Sequence, residues 1–213
     1  VVELLSALAL TGALTAAPAP RAGSPAAEEL ARRVEQRHRA IADLTARFVQ
    51  TYRSGMIGRE VVERGVVSIK RPGRMLWEYR HPEKKTFVAD GKTFYFYVPA
   101  DKQVIVRAQA KDKSLPAQLL SGQSDMLSGF TVTFEDNAPP GRRRLRLVPR
   151  KPDPDVEWLT LDVDEGDRIR AIALADVQGN RSRFEFDDIK ENVGLKDRLF
   201  DFRVPPGVEV VTG

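Results

Sequence analysis

From residue 44 to residue 189, apolar side chains recur mostly at every second position, in short runs separated by turn signals. Period two is the pattern of strands with one buried face. Leu44, Ala46, Phe48, Gln50 and Tyr52 share one face of a first strand. A second run covers 60–70, and Pro72-Gly73 marks a turn. Met75, Trp77 and Tyr79 then alternate in a third. Runs 85–89 and 92–98 flank Asp90-Gly91, a strong hairpin dipeptide. Further runs cover 102–108, 130–135, 144–148, 156–163, 168–177 and 181–189, and a short strand-like piece follows near the end. Strands joined by short turns pair antiparallel with their neighbours. A sheet of about ten to eleven strands must curl, pack on itself or close.

Two stretches break the pattern. Residues 26–42 carry Leu30, Val34 and Ile41 near helical spacing with charges between, which predicts one amphipathic helix. Residues 113–129 place Leu115, Leu119, Leu120, Met126 and Leu127 in one or two short apolar helices. Both segments are available to cover a concave apolar face. The expected fold is therefore mainly β, an antiparallel sheet with an N-terminal helix and a helical insert, in one domain over 26–213. Residues 4–17 are apolar and uncharged, and Ala17-Pro18-Ala19 follows. That reads as a secretory signal peptide and flexible leader over 1–25, hence export. The run is too short to span a bilayer.

The residue inventory removes most chemistry. The chain has no cysteine, so disulfides, thiolate nucleophiles and cysteine metal sites are excluded. It has two histidines, His38 on the charged helix and His81 before Pro82, neither with a partner visible in the sequence. The acidic string 162–167 lacks the spacing of a calcium loop and reads as a solvated hairpin turn. No phosphate-binding, zinc-hydrolase or serine-nucleophile motif is present, so no enzyme, metal or cofactor is expected. Arg142, Arg143, Arg144 and Arg146 alternate with Leu145 and Leu147 but lack interleaved aromatics. They read as a solvated basic strand face rather than a nucleic-acid site. The net charge of +4 demands no anionic partner. Residues 94–97 are aromatic on both faces of one strand. The second face should therefore be covered by the helices or by a ligand.

Several motifs together resemble the LolA family, the outer-membrane lipoprotein carrier proteins of the bacterial periplasm. They are residues 44–52 (LTARFVQTY), 69–79 (IKRPGRMLWEY), 88–98 (VADGKTFYFYV), Gln103-Val104 and the closing FRVPPGVEV. The resemblance implies an unclosed antiparallel β-barrel under a lid of helices, with a hydrophobic cavity for the acyl chains of lipoproteins. It implies a monomer that accepts cargo from an inner-membrane ABC transporter and delivers it to an outer-membrane lipoprotein receptor. The missing cysteine favours the soluble carrier over that anchored receptor. The resemblance also implies that Arg71 latches the lid by hydrogen bonds to its backbone carbonyls. Phe48, Met75, Trp77 and Phe96 are then cavity-wall candidates, and Leu119, Leu120, Met126 and Leu127 face the cavity from the lid. Two alternatives share the fold: a regulatory sensor that binds a membrane anti-sigma factor, and a carrier of another amphiphile such as a glycolipid.

Overall fold

In a computed structural model of the chain, the described residues are 23–108, 126–153 and 155–212. Helix α1 spans Pro25–Ala40. Proline at its start costs no hydrogen bond, and Arg37 and Arg39 complement the dipole in its last turn. Ala27, Leu30, Ala31, Val34 and His38 are its buried residues, three to four apart on one face. His38 thus sits on the buried face and not among the helix's exposed charges, as the sequence suggested.

The strands are β1 (Asp43–Arg53), β2 (Glu60–Lys70), β3 (Arg74–His81), β4 (Lys85–Asp90), β5 (Thr93–Val98) and β6 (Gln103–Ala108). After a short helix α2 (Met126–Gly129) come β7 (Phe130–Glu135), β8 (Arg142–Pro149), β9 (Trp158–Asp164), β10 (Ile169–Ala175), β11 (Arg181–Glu191) and β12 (Glu209–Thr212). They form a single twelve-stranded sheet in the order β12-β6-β5-β4-β3-β2-β1-β11-β10-β9-β8-β7. Two meanders are joined where β11 pairs with β1. The outer strands β12 and β7 do not pair with each other, so the barrel is unclosed. The expected mainly β, unclosed architecture with an N-terminal helix is observed. The sheet differs from the expectation in β12, which adds to β6 in parallel. Residues 1–22, with the predicted leader, and 109–125, with Leu119 and Leu120, lie outside the described residues.

Curling sorts the side chains. The concave face and α1 form one core containing Leu30, Val34, Phe48, Val67, Ile69, Leu145, Leu161 and Phe186. On the other face a smaller core joins Leu76, Val88 and Phe200, with Tyr95, Leu195 and Phe202 packed against it. Phe202 lies 5.1 Å from the Tyr95 ring and 5.8 Å from the Tyr97 ring. The second face of the aromatic strand is thus covered by the segment after β11.

The predicted solvated arginine face also differs. Arg144 pairs with Asp162 at 2.5 Å, and Arg183 meets the same carboxylate at 2.7 Å. Arg146 pairs with Glu135 at 3.0 Å. Neighbouring strands supply these carboxylates, so the charges are matched across the sheet.

Candidate functional site

The concave face is built by register. Phe48 stands opposite Phe186 on β11 and Gly65 on β2. Gly65 faces Tyr79, Val67 faces Trp77 and Ile69 faces Met75. Trp77 faces Phe87, which faces Phe96. Residues paired directly across strands point to the same side. Phe48, Met75, Trp77 and Phe96 therefore share one face. Their rings pack edge to face, with centroids 5.0 Å apart for Phe48–Trp77 and 4.9 Å for Phe48–Tyr79, while Phe87 and Phe96 stack at 4.2 Å. Gly65 is required beneath this cluster. A Cβ there would fall 2.0 Å from the Glu78 carbonyl oxygen and 2.7 Å from Phe48 Cε1.

Helix α1 covers the face and leaves a cavity of about 30 Å³ beneath its C-terminal turn. Ile41, Leu44, Ala46, Val67, Ile69 and Phe186 line it, with Arg37, His38 and Glu191 among its polar residues. This is room for about one water molecule, roughly a tenth of the smallest ordinary ligand pocket. The apolar face is thus closed beneath this turn, while Trp77, Phe87 and Phe96 farther along it are only partly buried. Of the lining residues, Leu44 and Ala46 were visible in the sequence as sharing the face of Phe48. Ile41 and His38 were not placed there, because their position depends on how α1 meets the sheet.

Polar contacts hold α1 down. Arg71 follows β2 directly, and its amide donates to the Ala42 carbonyl at 2.9 Å. Its Nη1 donates to the Ile41 carbonyl at 2.5 Å, and its Nη2 lies 3.1 Å from His38 Nδ1. A guanidinium only donates, so Nδ1 must accept and the imidazole carries its proton on Nε2. Burial, with Arg71 and then Arg37 nearby, pushes the His38 pKa down to about 4. Burial likewise lowers that of Arg71. Farther along the helix, Arg33 pairs with Asp167 at 2.9 Å and Arg37 with Glu191 at 2.5 Å. Glu35 accepts from the Met126 amide at 2.5 Å and so ties α1 to α2. Met126 is buried in the main core and Leu127 packs against it.

Lys70, one residue earlier, reaches the other side of the sheet. It donates to the Leu195 carbonyl at 2.7 Å and pairs with Asp197 at 2.6 Å. Consecutive residues of the Lys70-Arg71-Pro72 motif thus clamp a segment on each face.

A sequence profile described as outer membrane lipoprotein carrier protein LolA matches residues 39–203. The chain belongs to the LolA family. It is 31% identical over 206 residues to the outer-membrane lipoprotein carrier protein of Chromohalobacter salexigens, covering 96% of this chain and 95% of that one. It is 32% identical over 213 residues to that of Hahella chejuensis, covering 98% and 96%. LolA is a family of carriers, not of catalysts. Among solved structures, an uncharacterized conserved protein from Thermus thermophilus has the same fold, with TM-score 0.56 at 16% identity over 88% of this chain and 99% of that one. MucB shares it too, with TM-score 0.52 at 16% identity over 90% of this chain and 67% of that one. Among the described residues of this LolA-family chain, no helix is long and apolar enough to cross a membrane.

Proposed function

We propose that this chain is a periplasmic chaperone that carries lipoproteins from the inner to the outer membrane, holding their acyl chains between α1 and the concave face. Each buried CH₂ is worth about 0.8 kcal/mol, so an acyl chain of about 16 carbons faces a penalty of roughly 12 kcal/mol in water. A lipidated protein needs that surface covered to cross an aqueous compartment. The sheet offers Phe48, Met75, Trp77 and Phe96 on one apolar face, which would form the cavity wall. Met126 and Leu127, with Leu119 and Leu120 of the segment before them, would face the cargo from the lid.

The observation that carries this reading is how the apolar face is closed. Arg71 holds the C-terminal end of α1 by a carbonyl and an imidazole, not by an apolar plug. Such bonds exchange for water at a net cost of only about 1–3 kcal/mol. Arg71 is thus suited to latch the empty cavity and to let α1 lift when acyl chains enter. An inner-membrane ABC transporter would load the carrier, and an outer-membrane lipoprotein receptor would unload it.

The test is release of a radiolabelled lipoprotein from spheroplasts, comparing the wild type with Arg71→Leu. The wild type should yield soluble one-to-one complexes. The variant should take up cargo and pass it on poorly. No release by the wild type, with the transporter of its own organism present, would sink the assignment.

A further inference from the structure

Several large apolar side chains of the described residues are exposed, and the three most exposed lie on two adjoining turns. Met56 and Ile57, at the tip of the β1–β2 turn, are 91% and 73% exposed. Val177, in the β10–β11 turn beside it, is 61% exposed. The two turns are locked together. The Gly55 amide donates to Asn180 Oδ1 at 3.0 Å, and a Cβ on Gly55 would fall 2.5 Å from the Gln178 carbonyl oxygen. Each turn is also closed on itself. Ser54 donates to the Arg59 carbonyl and accepts from the Gly58 amide, both at 3.0 Å. The Asp176 carboxylate accepts from the amides of Gln178 and Asn180, both at 2.9 Å. The apolar tip is therefore a preorganised projection.

Among the described residues its free charges are mostly basic, with Glu60 the one free carboxylate. Arg53 is paired in register with Arg181 on β11 and with Glu60 on β2, and Arg59 precedes β2. Among the described residues, neither Arg53 nor Arg59 has an ion-pair partner, whereas Arg144, Arg146 and Arg183 on the same sheet are matched. Arg181 lies over the Trp158 ring at 5.9 Å. The acidic neighbours are Glu60 and Asp176, the latter engaged within its own turn.

A convex apolar tip flanked by unpaired guanidiniums matches one environment closely. In an anionic bilayer surface the apolar atoms reach the acyl boundary while the arginines meet phosphate oxygens. We propose that these two paired turns dock the protein on an anionic phospholipid surface, with Met56, Ile57 and Val177 inserted and Arg53 and Arg59 against the phosphates. The site is separate from the cavity. The eleven residues of β2 run from the tip to Arg71, a span of roughly 30 Å. The inference therefore does not depend on the carrier reading.

The test is sedimentation of the full chain with vesicles of phosphatidylglycerol and phosphatidylethanolamine, and with phosphatidylcholine vesicles as the control. Because the apolar segment 4–17 could itself hold a vesicle, the decisive readouts are local to the tip. The chain lacks cysteine, so Met56→Cys gives a unique site for an environment-sensitive fluorophore. Its emission should shift to the blue on anionic vesicles only. The double variant Met56→Ser/Ile57→Ser should bind them at least about tenfold more weakly. Arg53→Gln/Arg59→Gln should lose about fivefold per arginine and most of the salt dependence. Unchanged thermal unfolding would show that these exposed variants keep the fold. A label that stays in water, or binding indifferent to both pairs of substitutions, would overturn the proposal. So would association with protein-containing membranes but not with pure lipid, which would assign the tip to a protein partner. Cargo release from spheroplasts, run on the same variants, reads the carrier function independently.

Discussion

Arg71 Nη2 and His38 Nδ1 lie 3.1 Å apart, joining the residue after β2 to the last turn of α1. The pair works only with a neutral imidazole, since a protonated ring would present a second donor to a donor. The same two residues thus set how firmly α1 closes the apolar face and how that closure responds to acid.

The first prediction concerns pH. The folded pKa of His38 is about 4, against about 6.5 for a free histidine. Above pH 6.5 the ring is neutral in both states and its contribution is fully present. Between about 6.5 and 4 the unfolded chain binds a proton that the folded one does not, so stability falls as the pH falls. The loss over that window should be about 3 kcal/mol. His38→Asn keeps an acceptor for Arg71 and removes the titration. Urea unfolding of both proteins from pH 4 to 7.5 should give a difference in slope between them confined to that window. Parallel curves would refute the assignment.

The second concerns Arg71. Replacing it with leucine leaves the Ile41 carbonyl without its guanidinium donor and removes a positive charge beside His38. The cost should be about 1–3 kcal/mol of stability. The His38 pKa, followed by NMR, should rise. Amide exchange should accelerate in α1 ahead of the central strands, since the bonds to Ile41 and His38 tie that helix. Uniform acceleration across the sheet would mean that Arg71 serves the whole fold and not the lid.

The third concerns Gly65. The Glu78 carbonyl oxygen that would meet an added Cβ belongs to a paired strand and has no freedom to retreat. Gly65→Ala should therefore cost about 3 kcal/mol or more. Phe48→Leu would relieve only the ring contact. A double-mutant cycle should show coupling between the two positions but incomplete rescue. Full rescue would place the whole strain on the ring.

The alternation of Phe48, Met75, Trp77 and Phe96 was legible because strand period is a local property of the chain. For the same reason the bounds of β2 and β7 follow from the sequence to the residue. What the sequence hid is non-local. Nothing near His38 announces that a guanidinium after β2 will reach it. The parallel partner of β12 has no periodic signal, because it joins residues a hundred positions apart. Arg71 stood out only through the LolA resemblance, since an arginine before Pro72 is otherwise an ordinary strand-end residue. Arg144 and Arg146 of β8 looked solvated because their carboxylates, Asp162 and Glu135, lie on neighbouring strands.

Asp162 supplies the last prediction. Its side chain is fully buried on β9, bonded to Arg144 at 2.5 and 2.9 Å and to Arg183 at 2.7 Å. Burial works to raise its pKa, but the hydrogen bonds from Arg144 and Arg183 outweigh it and hold the carboxyl below its usual range. The contribution is thus present at neutral pH and is lost as the pH falls through that depressed pKa. Asp162→Asn keeps the shape and removes the charge, leaving two guanidiniums beside a neutral amide. Both arginines are partly exposed, at 17% and 29% of their side chains, so water offsets some of the penalty. The expected loss is about 2–3 kcal/mol, below the range for a fully buried pair broken on one side. Removing all three charges together, as Asp162→Leu with Arg144→Leu and Arg183→Leu, should cost less than Asp162→Asn alone. If the triple variant is instead the less stable, the cluster contributes more through its charges than the desolvation they incur.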